Sequence, residues 1–301
     1  MKMFFKTTLS RSVWQWYQTI VSRIGVKRNN TGRFALCCMA KCENDYIREW
    51  ADYHIKLGFD KIYIYDNNDT DGERLEDVIG DLVRAGKCEI VDYRGRKCCQ
   101  EDGYHDCYMK NGAAYDWIAV FDVDEFLTLR QHDNLRDFLS DQRFAAYEVL
   151  HLNWMCYGDN GLLDNDGRPC QERFTQPLPY DIRRFKDFPE NNHIKSIVRG
   201  GLRHINWRYI THTPWCLYRC CDATGNSCAV RVPYNPYNFD VAYFRHYYTK
   251  TIGEWIRIKQ ARGYGDMNDE DARKKLGLDV FYMLNERTPE KDAYAERLIN
   301  R

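Results

Sequence analysis

The stretch Trp117-Ile118-Ala119-Val120-Phe121-Asp122-Val123-Asp124-Glu125-Phe126 decides the fold and indicates the chemistry. Its apolar first half is typical of a strand buried on both faces, and it leads directly into three carboxylates. Because side chains alternate along a strand, we expect Asp122 and Asp124 on the same side. Two neighbouring carboxylates are costly to bury without a cation, and oxygen ligands suit Mg²⁺ or Mn²⁺. The stretch therefore predicts a strand whose carboxyl end holds a divalent metal ion, the alternative being a solvated turn.

The sequence before this stretch alternates between strand and helix patterns. Short β-branched and aromatic runs predict strands, and the longer polar segments between them carry helix-capping and helix-ending residues. Repeated units of this kind predict an α/β fold with a mainly parallel sheet flanked by helices, which binds its ligand at the carboxyl ends of the strands. The predicted strands are 34–40, 61–65, 88–93 and 117–121, and the predicted helices are 44–57, 73–85 and 104–115.

The first residues of the chain differ in character from the rest. Apolar side chains from Leu9 to Ile24 fall on one helical face, and lysines and arginines flank them. The longest uncharged stretch has 11 residues, whereas a spanning helix needs ~20. We therefore expect an amphipathic helix on an anionic membrane surface, the alternative being a helix packed on its own domain or on a dimer partner.

Charge and cysteine content limit the class of protein. The 44 basic and 44 acidic residues balance, which argues against a nucleic-acid partner. The 13 cysteines come without a visible secretory signal, so we expect mostly reduced thiols in a cytoplasmic protein. Zinc is one alternative for the late cysteines, although they lack two C-x-x-C pairs. The residues considered for it are Cys216, Cys220, Cys221 and Cys228, with His212 nearby.

The Trp117–Phe126 stretch resembles the D-x-D region of GT-A (Rossmann-like) glycosyltransferases, particularly a bacterial branch of family 2 and the related family 92. Four other segments resemble the same families, and together the matches run from about residue 33 to residue 262. They are Lys41-Cys42-Glu43-Asn44 with Glu49, Trp50 and His54; Tyr65-Asp66-Asn67-Asn68-Asp69-Thr70-Asp71; His193-Ile194-Lys195-Ser196-Ile197-Val198; and Phe244-Arg245-His246-Tyr247-Tyr248-Thr249-Lys250 with Glu254 and Lys259.

The resemblance implies roles for individual residues. It implies that Asp124 binds the metal ion, Mn²⁺ or Mg²⁺, and that His246 completes the metal shell. It implies that Asp122 lies near the metal or the ribose of the donor. The other implied donor-binding residues are Glu43 and Asp66, at the uracil and ribose, and Lys195 and Lys250, at the diphosphate or an acidic acceptor.

The pattern along the chain also predicts a domain organisation. Residues 1–31 form the basic amphipathic segment, and 32–250 form the catalytic domain. Within that domain, 32–130 is the nucleotide-sugar half and 131–250 the acceptor half, where Gly, Asn, Pro and Tyr indicate long loops. Residues 251–301 form a C-terminal helical extension.

The implied activity is metal-dependent, inverting transfer from a UDP-sugar to a glycan or lipid-linked glycan in surface polysaccharide or lipooligosaccharide synthesis. It would take place on the inner face of a bacterial membrane. An inverting displacement needs a carboxylate base at the acceptor oxygen. Asp159 is the candidate because Trp154–Asp159 resembles the family's W-x-x-F-G segment. Glu148, Asp164, Asp181 and Asp222 remain alternatives.

Three other classes of protein are alternatives. A haloacid-dehalogenase-like phosphohydrolase would use Asp122 as its nucleophile, but its D-x-D lies on the first strand and is followed by Thr or Val where this chain has Phe126. A nucleotidyltransferase would need a glycine-rich loop after the first strand, and residues 39–44 contain no glycine. A non-catalytic glycan- or calcium-binding module would rest on Asp164-Asn165-Asp166-Gly167, which lacks full EF-hand spacing.

Overall fold

A computed structural model describes residues 28–177, 192–229, 232–263 and 276–285. The predicted membrane-surface helix before residue 28 and the candidate base Asp181 lie outside these described residues. None of the helices within them is long and apolar enough to cross a membrane. The described strands form one large sheet.

The first half of the chain forms the parallel part of the sheet. Strands β1 to β4 lie in the order β3-β2-β1-β4, and every neighbouring pair is parallel. Helices connect successive strands, as the sequence predicts. The elements are β1 (Phe34–Ala40), α1 (Asn44–Leu57), β2 (Lys61–Asp66), α2 (Glu76–Arg84), β3 (Cys88–Asp92), α3 (Gln100–Asn111) and β4 (Trp117–Val120).

The second half extends the same sheet with mixed pairings. Beyond β4 the order is β7-β6-β9-β5, and β8 also pairs with β6. The pairs β4–β7, β6–β7 and β5–β9 are antiparallel, whereas β6 is parallel to both β8 and β9. The predicted α/β class is confirmed. These elements are β5 (Glu125–Leu129), α4 (Leu135–Leu139), β6 (Val149–Cys156), α5 (Cys170–Arg173), β7 (Ile194–Arg199), β8 (Cys220–Asp222) and β9 (Ala242–His246).

A helix with a π-helical centre follows β9. We call it α6; it consists of Ile252–Glu254, a π turn over Trp255–Lys259, and Gln260–Arg262. Thr251 begins it with a capping box, in which its side chain and that of Glu254 bond reciprocally to the backbone. A further helix, α7 (Leu278–Asn285), packs against it through Phe281, whose ring centroid lies 5.5 Å from that of Trp255.

Strand β1 shows why the central strands are apolar throughout. Phe34, Leu36 and Cys38 face a core formed with α1, α2 and α4, while Ala35 and Cys37 face a second core formed with α3. Both faces are covered, so polar residues have no place in the strand. The adjacent Cys37 and Cys38 therefore point to opposite faces. No disulfide forms among the 13 cysteines, all of which lie in the described residues.

Candidate active site

The order of the parallel strands places a crevice between β1 and β4. The chain runs outward from β1 through β2 to β3 and then returns to β4 on the other side of β1. Ligands bind at such reversal points, outside the carboxyl ends of the strands. Glu43 follows β1 at this edge, and Asp122 and Asp124 follow β4. The topology therefore brings the predicted donor and metal residues to one edge of the sheet.

The D-x-D carboxylates lie in a turn and not in a strand. Strand β4 ends at Val120, one residue earlier than predicted, and the chain turns into β5 at Glu125. The expectation that strand alternation directs Asp122 and Asp124 to one side does not apply in a turn. The two carboxylates instead meet different partners.

Asp122 lies in a network with fixed hydrogen-bonding partners. Its Oδ1 accepts from the Tyr104 hydroxyl at 2.8 Å and from the Gln100 amide at 3.1 Å, and its Oδ2 accepts from Lys195 Nζ at 2.7 Å. Lys195 is fully buried and also lies 3.6 Å from Glu125. Burial lowers the pKa of Lys195, but Asp122 and Glu125 outweigh it and raise that pKa above its ordinary value. Lys195 is therefore a buried cation that orients Asp122.

Asp124 lies deeper and faces two other groups. One carboxylate oxygen lies 3.4 Å from His246 Nε2 and the other 3.6 Å from Lys259 Nζ. Burial alone would raise the pKa of Asp124, but His246 and Lys259 hold it well below the ordinary value, so the carboxylate is ionised. Burial lowers the pKa of His246. The centroid of its ring lies 4.2 Å from that of the Trp154 ring. A histidine nitrogen beside a carboxylate is a pair of groups that suits a metal ion.

Three cations converge on the cleft next to Asp124. The cleft is open to solvent and is lined by Lys250, Lys259 and Arg262. Lys250 Nζ lies 3.2 Å from the Tyr46 ring centroid and 3.4 Å from a carboxylate oxygen of Glu43. Arg262 donates to the same carboxylate group and, at 3.0 Å, to the carbonyl of Lys41. Three cations thus lie together at the carboxyl edge of β1, each beside the carboxylate of Glu43 or Asp124.

The sequence predicted Lys250 but gave Lys259 no role of its own and did not identify Arg262. The π turn of α6 places Lys259 over the Tyr248 ring, 3.7 Å from its centroid, and turns it toward Asp124. π turns are rare and occur often at functional sites, but no local residue pattern announces one. Burial lowers the pKa of Lys259 to about 8.

Asp66, the last residue of β2, is held by residues that follow β2 and β3. One oxygen accepts from Arg94 at 2.7 Å, and the other accepts from the backbone and side-chain nitrogens of Asn68 at 3.0 and 2.8 Å. Asn68 in turn accepts a hydrogen bond from the Cys42 backbone at 2.8 Å. Asp66 therefore fixes the loop after β2 against the loop after β1, beside Glu43.

Asp159 is buried and is connected to the cleft through Asn285. Its Oδ1 accepts from Gly161 N at 2.9 Å, and its own N–H donates to Asn285 Oδ1 at 2.9 Å. That amide oxygen also lies 3.4 Å from the hydroxyl of Thr249, a cleft residue.

The alternative bases are engaged elsewhere. Glu148 precedes β6 and pairs with Arg28 and Arg219, Asp164 pairs with Arg257, and Asp222 accepts from Thr224 in the turn after β8.

The three predicted metal ligands are not all close together. Within the described part of the chain, Asp122, Asp124 and His246 do not have ligand atoms that all lie within 4.8 Å of one another. Asp124 and His246 alone are adjacent, at 3.4 Å. Mg²⁺ and similar ions commonly take only one or two protein ligands and complete their shell with water and substrate phosphates. The Asp124–His246 pair fits a metal held in that way.

Residues 34–257 match the model of glycosyltransferase family 92. A family 92 protein of Ricinus communis is 29% identical over 193 residues, which cover 60% of this chain and 34% of that protein. Galactan beta-1,4-galactosyltransferase GALS1 of Arabidopsis thaliana is 23% identical over 182 residues, 52% of this chain and 36% of that protein. The solved structure of S. aureus TarS 1-349 has a TM-score of 0.35 and 11% identity, and the match covers 86% of this chain and 74% of the TarS 1-349 chain.

The chain spans about a third of the length of these two curated relatives. Both are plant proteins and give no support to the predicted bacterial branch. The family model covers well over half of the 301 residues, from the first strand to the π turn of α6. The protein belongs to glycosyltransferase family 92.

Proposed function

We propose that the protein transfers a sugar from a nucleotide-sugar, specifically a UDP-sugar, to a glycan or lipid-linked glycan. The observation that supports this most is the convergence of Lys250, Lys259 and Arg262 at the cleft beside Asp124. A donor diphosphate is a compact polyanion, and charge-assisted hydrogen bonds from lysine and arginine are the strongest that a protein offers it.

The diphosphate would lie in this cleft, with the nucleoside toward the carboxyl ends of β1 and β2. Glu43 follows β1 and Asp66 is the last residue of β2, and we assign them to the uracil and ribose side of the donor. Glu43 accepts a hydrogen bond from Arg262 and lies 3.4 Å from Lys250 Nζ, so the nucleoside and diphosphate regions share residues. Asp66 would act mainly by holding its loop, because Arg94 and Asn68 occupy its oxygens.

A divalent metal, Mn²⁺ or Mg²⁺, would be held by Asp124 and His246. Bound there, it would act as a Lewis acid that stabilises the departing diphosphate. The Asp122 carboxylate is bound by Lys195, Tyr104 and Gln100, and its side chain is 31% exposed. Of its two implied roles, the ribose contact fits this position better.

The acceptor half would orient the attacking hydroxyl and remove its proton. We propose Asp159 as the base of an inverting displacement, because it is linked through Asn285 to Thr249 at the cleft. The phosphohydrolase alternative would require Asp122 to attack a substrate. Lys195, Tyr104 and Gln100 instead bind that carboxylate, and the family is one of glycosyltransferases.

The wider setting is a proposal from the sequence alone. We propose that the basic segment 1–31 binds an anionic membrane surface and brings the enzyme to a lipid-linked acceptor, as in surface polysaccharide assembly at a bacterial inner membrane. Removing residues 2–28 should abolish flotation with anionic liposomes while leaving hydrolysis of a soluble donor unchanged. Flotation that persists after the deletion would contradict this role.

The donor proposal is tested by calorimetric titration of UDP into the protein with Mn²⁺ and with EDTA. We expect binding that is much tighter with the metal, since without it the ionised Asp124 would repel the diphosphate. The absence of binding by UDP, GDP and ADP in the presence of Mn²⁺ would refute the proposal. Binding of another nucleotide in place of UDP would keep sugar transfer and correct the donor.

A further inference from the structure

Outside the candidate active site, two cysteines and a histidine meet where β6 and β8 pair. Cys220 lies on β8, and Cys228 lies directly opposite it after a hairpin turn, with Cys228 N donating to Cys220 O at 3.0 Å. His151 comes from β6, the parallel neighbour of β8. We propose that His151, Cys220 and Cys228 form a structural zinc site that stabilises the acceptor half of the protein.

The distances suit a tetrahedral ion. The potential ligand atoms of the three residues all lie within 4.8 Å of one another. Within the described part of the chain, they are the group of His, Cys, Asp or Glu residues that meets this distance limit. Cys228 Sγ lies 3.5 Å from His151 Nδ1, and bonds of ~2.3 and ~2.0 Å at a tetrahedral angle place sulfur and nitrogen about 3.5 Å apart. The two sulfurs are 3.1 Å apart and would need to separate by about 0.7 Å to reach tetrahedral spacing.

The orientation of His151 supports a ligand role. Its Nε2 lies 2.9 Å from Thr213 Oγ1, while Nδ1 faces the sulfur of Cys228. A proton on Nε2 that is donated to Thr213 leaves the Nδ1 lone pair free to bind a metal, and metal-binding histidines are normally fixed by such a second hydrogen bond. The Asn235 amide nitrogen lies 3.4 Å from Nδ1, so rotating this amide would present its oxygen to the fourth position.

Burial and charge agree with an ion at this place. His151 and Cys220 are almost completely buried, and Cys228 is half-buried. Zn²⁺ with two thiolates and a neutral imidazole carries no net charge, so the complex tolerates a site with little water. Thiolate and imidazole ligands select zinc over Mg²⁺ or Mn²⁺, which distinguishes this site from the one at Asp124.

The structure also selects among the cysteines that the sequence suggested. Cys216 lies in the same core as Cys220, but it does not belong to the group of ligand atoms that lie within 4.8 Å of one another. Cys221 faces the opposite core because it alternates with Cys220 along β8. His212 is directed elsewhere, with Nδ1 3.0 Å from the carbonyl of Ile194. His151, some seventy residues earlier in the chain, could not be linked to these cysteines by spacing.

The site would join segments that have little regular structure. Thr213 belongs to the loop between β7 and β8, and Asn235 belongs to the loop before β9. An ion at His151 would therefore connect both loops and the Cys220–Cys228 hairpin to β6. Metal binding of this kind contributes directly to folding free energy.

The test is the metal content of tag-free protein purified in a thiol reductant without chelators. Elemental mass spectrometry should find one zinc per chain, lost in Cys220→Ser and in Cys228→Ser. Cys98→Ser, at an exposed cysteine, and Cys221→Ala, at the neighbour of Cys220 on the other face, should keep it. Removing the zinc should lower the midpoint of thermal unfolding of the wild-type protein and leave that of Cys228→Ser unchanged.

A second measurement does not depend on whether the variants fold. Co²⁺ added to metal-stripped wild-type protein should give the thiolate-to-cobalt charge-transfer absorption that sulfur ligands produce, and Zn²⁺ should displace it. The proposal would be overturned by wild-type protein in which the thiols of Cys220 and Cys228 are free but which holds no zinc and gives no such absorption. It would also be overturned by a Cys220–Cys228 disulfide in protein purified without reductant that fails to bind zinc after reduction.

Discussion

Replacing Lys259 with glutamine tests whether α6 binds the donor diphosphate. The substitution removes one positive charge from the cleft and keeps a polar side chain of similar length. Lys259 Nζ lies 3.6 Å from Asp124 and points into the cleft, so it should donate to a phosphate oxygen of the donor. A hydrogen bond to a charged group contributes about 1.5–3 kcal/mol. At about 1.4 kcal/mol per tenfold change, UDP affinity should fall by about 10- to 150-fold.

The assay is calorimetric titration of UDP at saturating Mn²⁺, which limits the effect of the substitution on the charge of Asp124. Lys87→Gln is the matched control, because Lys87 is an exposed lysine before β3, at the opposite edge of the sheet. Its UDP affinity should stay within about twofold of wild type, since distant exposed charges are screened by salt. Uridine binding, followed by ligand-observed NMR, should be the same in all three proteins because uridine has no phosphate.

Two results would refute this reasoning. An unchanged UDP affinity in a folded Lys259→Gln protein would mean that the diphosphate lies elsewhere. An equal loss of uridine and UDP affinity would mean that the substitution acts on the nucleoside or on the fold. Far-ultraviolet circular dichroism and thermal unfolding of the variant show whether the fold has changed.

Three further predictions concern other residues. Asp124→Asn should abolish the difference in UDP affinity between Mn²⁺ and EDTA, because it removes an anionic ligand; a difference that persists in calorimetry would exclude Asp124 from the metal shell. Asp159→Asn should reduce the rate of sugar transfer by about 10²–10⁴-fold with UDP affinity unchanged, as loss of a general base requires; an undiminished rate would point to another base. Arg173→Met should destabilise the fold by about 3–5 kcal/mol in urea unfolding, because Arg173 and Glu254 form a buried ion pair at 3.1 Å. Arg48→Met, which breaks exposed ion pairs, should cost less than about 1 kcal/mol, and equal losses would contradict this account.

The parallel half of the sheet was predictable because its signals are local. Strands β1 and β2 begin at the predicted residues, and α1 ends at the predicted Leu57 before Gly58. A strand covered on both faces must be apolar along its whole length, and a glycine that adopts a positive φ, 124° at Gly58, marks the helix end. Such rules act over a few residues and are visible in one sequence.

The site was only partly predictable because its members are distant in the chain. The D-x-D carboxylates stand out beside an apolar strand, but their separate partners depend on Lys195 in β7 and on Lys259 in α6. Nothing in the sequence near residue 124 indicates which of the later lysines will be its neighbour. Arg262 reaches Glu43 from more than two hundred residues away, through a helix whose π turn has no recognisable sequence signal.

The position of α6 affects where the end of the domain should be placed in this protein and in its relatives. The family model ends at residue 257, within the π turn, whereas the cleft also uses Lys259 and Arg262. A version of the protein cut at the limits of the family match would keep every strand of the sheet and lose two of the three cleft cations. The boundary of the family match is therefore not the boundary of the cleft, and alignments or expressed fragments should extend at least to the end of this helix.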